Sequence, residues 1–149
     1  MKKIIPCLLA LSICLTLAAC GKDENVTSSE APEVSSAVPV STETELEALV
    51  KEDTFREQVL SLSASYEDKG MKIDVFAEGK KVVYTCTYTV DIDVDKAKQE
   101  LAEYLDGKTM TSQFESTLKS FRNQVPETEA LVVRYIDKSG NIIVSKEYQ

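Results

Sequence analysis

The sequence contains no histidine and no tryptophan, and only five of its 149 residues are glycine. The absence of histidine excludes the Ser-His-Asp triad, the Cys-His pair and histidine-ligated zinc. A basic block is also missing, since 17 basic residues against 25 acidic ones give a formal net charge of −8. Because phosphate neutralisation requires clustered lysine and arginine, we expect no nucleic-acid partner. The chain has no P-loop, no GxGxxG and no nucleophile elbow, and we expect no cofactor.

The N-terminus has the pattern of an export signal. Lys2 and Lys3 precede an uncharged, mostly apolar stretch over residues 4–17, and small residues follow it. This stretch is shorter than the roughly 20 residues that a helix needs to span a bilayer. A charged start, a short apolar segment and small residues at its end are typical of a secretory signal peptide, which we assign to residues 1–19.

The end of this segment is more specific. Leu17-Ala18-Ala19-Cys20 resembles the lipobox of bacterial lipoproteins. The resemblance implies that the signal peptide is cut before Cys20 and that the Cys20 thiol carries a diacylglycerol with acyl chains such as palmitate. Such a protein is anchored to the cell membrane by lipid and faces outside the cytoplasm. The alternative is an ordinary signal peptide that contains a cysteine by chance.

The four cysteines have different fates under this interpretation. Cys7 and Cys14 leave with the signal peptide, Cys20 is acylated, and Cys86 remains as a thiol. An intramolecular disulfide is therefore excluded, and the exported domain must be stabilised by its core. Because no histidine can activate its thiol, we expect Cys86 to be a small buried apolar residue and not a nucleophile.

Composition divides the rest of the chain into a tether and one domain. Residues 20–42 are rich in Ser, Thr, Pro, Glu and Val and lack aromatic residues and regular periodicity, which is typical of a flexible linker. Residues 43–149 have the apolar periodicity of a folded domain, with 14 basic and 21 acidic side chains. We therefore expect an acidic domain held a short distance from the membrane.

Periodicity in the domain predicts the order helix, helix, strand, strand, given twice. Thr42 and Glu45 have the spacing of a capping box that would begin the first helix. Alternating residues then predict two hairpins with Gly79 and Gly140 in their turns. The expected fold class is α+β, a four-stranded antiparallel sheet made of two hairpins with helices on one face.

The two halves also match in spacing. The longer helices carry apolar residues at intervals of 4, 3 and 4, beginning at Phe55 in the first half and at Phe114 in the second. A tandem helix-helix-strand-strand repeat explains this match. Two unrelated amphipathic units would also explain it.

Residues 43–148 resemble small exported lipoproteins of Gram-positive bacteria that contain one α+β domain of unknown function. The resemblance rests on the order of helices and hairpins and on a closing Tyr135-x-Asp137-x-x-Gly140 pattern. It implies a location on the outer face of the cytoplasmic membrane. It supplies no functional residues.

Acidic residues supply two candidate chemistries. Asp91, Asp93 and Asp95 suggest calcium, but an EF-hand loop starting at Asp91 would have Lys96 and Ala102 where glycine and glutamate are needed. We therefore expect no metal site. A carboxylate pair for glycoside hydrolysis requires two acids about 5 to 9.5 Å apart across a cleft. The acids that can be placed belong to exposed faces, caps and turns.

The sheet face opposite the helices is the candidate binding surface. Alternation places several apolar residues there, among them Val132, Ile136 and Ile143, which is more than a merely solvated face needs. Apolar patches with polar rims often mark interaction sites. Scattered surface residues, or cover from the tether, would account for the same pattern. The candidate binding residues are Phe76, Val83, Thr85, Thr87, Thr89 and Arg134.

The function expected from these features is that of a membrane-anchored, non-enzymatic binding or accessory domain outside the cytoplasm. Its ligand would be a protein, a peptide or a small solute. Two alternatives stay open: a small carboxylate-based cell-wall hydrolase, and a structural subunit of an envelope complex. A deep cleft lined by acids would favour the hydrolase, and a flat sheet face with apolar residues would favour binding.

The lipobox generates the first prediction. Replacing Cys20 by alanine removes the thiol that would be acylated, so the Cys20→Ala protein should leave the membrane fraction or keep its signal peptide. Cell fractionation and the apparent mass on a denaturing gel measure both effects. A variant that fractionates and migrates like the wild type would contradict the lipid anchor.

Overall fold

The computed structural model describes residues 43–149, so the predicted signal peptide, Cys20 and the whole tether lie outside the described residues. The described chain forms four helices and four strands in the predicted order. The helices are α1 (Glu45–Lys51), α2 (Asp53–Glu67), α3 (Val94–Asp106) and α4 (Lys108–Gln124), and the strands are β1 (Met71–Glu78), β2 (Lys81–Tyr88), β3 (Ala130–Ile136) and β4 (Ile142–Tyr148).

Local caps begin two of the helices. A capping box starts α1, but its residues are Thr44 and Glu47 and not Thr42 and Glu45. The Thr44 hydroxyl accepts the Glu47 N–H at 3.1 Å, and the Glu47 carboxylate accepts the Thr44 N–H at 3.0 Å. Thr42-x-x-Glu45 and Thr44-x-x-Glu47 fit the same pattern, so spacing alone selected the wrong pair. At α3 the sequence allows Asp93 or Asp95 as the cap, and the structure selects Asp93, whose carboxylate accepts the Lys96 N–H at 3.1 Å.

The sheet is mixed and not fully antiparallel. Both predicted hairpins form, and the strand order is β1-β2-β3-β4, but β2 and β3 are parallel. The expectation of an antiparallel sheet was therefore wrong at its centre. A crossover through two helices, over residues 89–129, returns the chain to the end of the sheet where β2 began. Crossovers of this length permit parallel neighbours, and strand periodicity carries no information on direction.

The parallel pairing of β2 and β3 also concerns the tandem helix-helix-strand-strand repeat suggested by the sequence. The first hairpin has its first strand, β1, at the sheet edge, whereas the second has its first strand, β3, inside. All four helices lie on one side of the sheet, and β2 is parallel to β3. A rotation that keeps the helices on that side therefore cannot place β1 on β3 and β2 on β4 at the same time. The two halves therefore share their element order but not their spatial arrangement.

One core fills the space between the helices and a single face of the sheet. All four helices and all four strands contribute to it, and Phe55 of α2 meets Phe121 of α4 at a ring-centroid distance of 5.9 Å. Strand β2 presents every second side chain to this core, as expected, and Cys86 is buried among them. The inward residues of β2 are Val82, Tyr84, Cys86 and Tyr88.

Both edges of the sheet carry features that oppose further strand pairing. On β1, the buried Ser63 hydroxyl accepts the Ile73 N–H, the Asp74 carboxylate accepts the Val75 N–H, and Arg56 donates to the Val75 carbonyl. On β4, a register shift interrupts the ladder, and Lys146 points inward to the Leu105 carbonyl. Bulges and inward charges are common protections of edge strands.

A buried tyrosine generates the second prediction. Tyr84 is 1% exposed, and within residues 43–149 its hydroxyl has no hydrogen-bond partner. Burial raises the pKa of this phenol above its ordinary range, so the group stays neutral. A buried unsatisfied polar atom costs about 1 to 3 kcal/mol, so Tyr84→Phe should leave the free energy of unfolding unchanged or raise it by about 1 kcal/mol.

Tyr148→Phe is the matched control. The Tyr148 hydroxyl donates to the Leu105 carbonyl at 3.0 Å, so its removal should cost about 1 kcal/mol. Urea unfolding of the two variants beside the wild type measures both changes. A Tyr84→Phe protein that loses as much stability as Tyr148→Phe would show that the Tyr84 hydroxyl is satisfied.

Candidate functional site

The outer face of the sheet is the side on which no described helix packs. Two valines on this face are nevertheless buried, Val83 on β2 with 0% and Val132 on β3 with 5% exposure. They are direct neighbours across the parallel pair, and Phe76 on β1 continues the row. Neither valine belongs to the helix-side core, so other groups must cover them.

A bidentate ion pair lies across the first valine. The Arg134 guanidinium donates to both oxygens of the Glu78 carboxylate at 2.7 Å each. Arg134 is on β3 and Glu78 on β1, two strands apart and displaced along the sheet. The register places Val83 midway between them, so the ion pair covers that side chain.

A second ion pair covers the other valine. Lys81 on β2 donates to the Glu147 carboxylate on β4 at 2.7 Å. The strand register pairs Glu147 with Val132 and Lys81 with Ala130. The line between the two charges therefore passes over β3 between Ala130 and Val132. We call the Arg134–Glu78 and Lys81–Glu147 pairs the two straps. They cover one half of the outer face without a second layer of secondary structure.

The other half of the face has no strap. Its end row crosses all four strands and consists of Lys72, Thr87, Ile136 and Ile142, which we call the open end. Ile142 is 58% exposed, and Ile136 and Thr87 are half-buried. An ion pair between Lys138 and Asp91 lies beside this row. The open end is thus an accessible row whose apolar part, Ile136 and Ile142, lies beside a threonine, a lysine and the Lys138–Asp91 ion pair.

Sequence alternation misplaced one residue of this surface. Ile143 was expected on the outer face, but it is 5% exposed and belongs to the helix-side core, while Ile142 pairs with Ile136 at the open end. The cause is the register shift between Tyr135 and Ile136, which adds a residue to β4 and reverses the alternation. Gly140 indicates a five-residue hairpin loop, and a loop of this length is compatible with a register shift. The position of the shift cannot be read from residue spacing.

The predicted binding residues fall in different surroundings. Thr85 is buried, and its hydroxyl donates to the Asp74 carbonyl at 3.4 Å, while Thr89 is exposed beyond the end of β2 and donates its N–H to Gly70. The structure therefore brings Phe76, Val83 and Arg134 together in the strapped half, places Thr87 in the open end, and leaves Thr85 between the halves.

A shallow depression of about 710 Å³ adjoins the second strap. Three cations and three carboxylates line it, and they contact one another or the backbone. Lys80 lies 3.5 Å from Glu127 and 3.8 Å from Glu129, and the Arg122 guanidinium donates to the Thr128 and Glu129 carbonyls. The charged residues of the lining are Lys80, Lys81, Arg122, Glu127, Glu129 and Glu147.

Residues 43–149 contain neither a metal-binding cluster nor a membrane-spanning helix. Within residues 43–149, no group of three His, Cys, Asp or Glu side chains is arranged to hold a metal ion. Among the helices of the same segment, none has the length and apolar content needed to cross a membrane.

The straps generate the third prediction, which concerns acid titration. The hydrogen bonds from Arg134 hold the pKa of the Glu78 carboxyl below its ordinary value of 4.5, and Lys81 lowers the pKa of Glu147 in the same way. A carboxyl with a lowered pKa stabilises the fold above its unfolded pKa, and this contribution is lost as the pH falls through the folded value. As the pH is lowered at constant salt, the first strap should therefore persist through neutral pH and open in acid.

NMR titration of the side-chain carboxyls tests this assignment. In the wild type both carboxyls should titrate below 4.5. Arg134→Gln should return Glu78 towards that value and leave Glu147 low. An unchanged Glu78 titration in a folded Arg134→Gln variant would contradict the bidentate pair.

Comparisons with known proteins identify the domain but not an activity. No curated protein and no solved structure matches the chain. One family does match, over residues 46–148, and its description is Domain of unknown function (DUF4854). The match begins within α1 and ends at the last residue of β4, so it covers the whole described fold. Because it also covers more than half of the chain, the protein belongs to the DUF4854 family.

Proposed function

We propose that this protein is a lipoprotein held outside the cytoplasm by lipid on Cys20, and that its domain binds another protein without catalysing a reaction. The lipobox-like Leu17-Ala18-Ala19-Cys20 and the polar tether support the anchor. The open end of the sheet supports the binding role and is the observation that carries it.

The open end has the physical character of a contact surface. Its side chains project from four hydrogen-bonded strands, so their positions are held by the sheet ladder. Ile142 remains 58% exposed while 29 other apolar residues of the described chain are buried. Burial of apolar area contributes about 25 cal/mol per Å², so covering this row would favour association.

Charge specifies the kind of partner. Residues 43–149 have a net charge of −7, whereas at the open end itself Lys72 and Lys138 balance Asp91 and Asp137, so the overall field of the domain favours a basic partner. Complementary charge speeds association and selects among partners. We therefore expect a basic protein whose own contact surface has an apolar centre.

The hydrolase receives less support from the geometry. The depression contains three carboxylates, but it is shallow, and each of the three lies next to a lysine. A glycosidase acid needs a raised pKa, whereas Lys81 lowers the pKa of Glu147. The protected sheet edges likewise give no support to an envelope subunit that assembles by strand addition.

A pair of substitutions that adds positive charge to the open end provides the fourth prediction. Thr87→Lys with Ile142→Lys places two cations on the open end, where they should repel a basic partner and remove apolar contact. Neither side chain belongs to the core, so the melting temperature should change little. Capture of the partner by cross-linking on intact cells, with the anchored protein as bait, should be lost.

The matched control places the same charges on the opposite layer. Leu60 is 60% exposed and Ala64 is also exposed, both on α2, so Leu60→Lys with Ala64→Lys changes the net charge equally. This variant should capture the same partner as the wild type, and the partner should be basic. Full capture by the folded open-end variant would overturn the proposed site, and equal loss in both variants would show only a general charge effect.

A further inference from the structure

The two straps conceal an apolar strip that the open end does not include. Phe76, Val83 and Val132 are consecutive neighbours across β1, β2 and β3. Phe76 is half-buried, whereas the two valines have almost no accessible surface. The cover is made of charged side chains, so the ion pairs between their ends hold it in place, while the methylene stems of arginine and lysine can pack on the valines.

The charged groups of both straps remain in contact with water. The side chains of Arg134 and Glu78 are 25% and 46% exposed, and those of Lys81 and Glu147 are 40% and 35% exposed. Exposed ion pairs contribute little net stability and are screened by salt. A helix over the same valines would show no such sensitivity.

The arrangement of sign is regular. Both cations project from the central strands, Lys81 from β2 and Arg134 from β3, and both carboxylates project from the edge strands, Glu78 from β1 and Glu147 from β4. Each strap thus runs from the centre of the sheet to an edge, and the two run to opposite edges. Opening either strap requires only a rotamer change of a glutamate on an outer strand, with no change in the backbone.

From this geometry we propose that the two straps form an electrostatic latch over a concealed apolar strip. The latch is closed at low ionic strength and opens as salt, or a competing charged group, weakens the ion pairs. Opening uncovers Val83 and Val132 and joins them to Phe76. This inference does not depend on the proposed function, since it concerns the strapped half and not the open end.

Thiols introduced on the two faces of β2 provide the test. Val82 and Val83 are adjacent and both 0% exposed, but Val82 lies under the helices and Val83 under the first strap. The experiment uses the full chain with Cys86→Ala and either Val83→Cys or Val82→Cys. Reaction with uncharged N-ethylmaleimide is followed at the single position by peptide mass spectrometry, so that other thiols do not interfere.

The latch predicts a difference between the two positions. Raising the ionic strength from about 0.01 to about 1 M shortens the screening length from about 30 to about 3 Å. Labelling at position 83 should then accelerate by about two- to fivefold, which corresponds to roughly 0.4 to 1 kcal/mol of lost closure. Adding Glu78→Gln should give the same acceleration at low salt. Labelling at position 82 should change in neither case.

Two results would overturn the latch. One is labelling at position 83 that stays as slow as at position 82 with salt and with Glu78→Gln. The other is an equal rise at both positions, which would indicate loosening of the whole domain. If Val83→Cys fails to fold, Val132→Cys with Glu147→Gln makes the same measurement under the second strap, with position 82 as the same control.

Discussion

The register of β2 is the constraint on which the rest of the domain depends. This strand pairs with β1 on one side and with β3 on the other, so its alternation determines which side chains face the helices across most of the sheet. Its inward tyrosines, Tyr84 and Tyr88, are buried, and a shift by one residue would place them in water and threonines in the core. Because aromatic burial dominates core energetics, the register is strongly specified, even at the expense of an unsatisfied Tyr84 hydroxyl.

A sheet with helices on one side must still manage its second face. In the strapped half, two ion pairs cover two valines. In the open end, the side chains stay accessible to water. The edge strands are protected by hydrogen bonds of single side chains, those of Ser63 and Arg56 at β1 and that of Lys146 at β4. Within the described residues, the outer face of the sheet therefore carries no further layer of secondary structure. The edge strands need no partner strand at the positions that these groups reach.

Under the proposed function and the proposed latch, the two halves of the outer face would serve different roles. The open end would offer permanent contact, whereas the strapped half would offer contact only after its ion pairs separate. An acidic domain on a tether would meet a basic partner first through its overall field and then through the apolar row. Basic groups of such a partner would compete for Glu78 and Glu147, which are the strap carboxylates that lie on the edge strands.

The sequence by itself determined the order of eight elements, the two glycine turns and the inward face of β2, because each depends on local spacing; the export signal that it also indicates stays a prediction. Tertiary structure alone decided that β2 and β3 are parallel, since strand periodicity carries no direction. It also decided that Val83 and Arg134, both named as binding residues, are part of a covered half, because Arg134 reaches Glu78, 56 residues away in sequence, only when β1 and β3 pair with opposite sides of β2. The exposure of Ile142 and burial of Ile143 depended on a bulge, whose position is set by strand pairing and not by residue type.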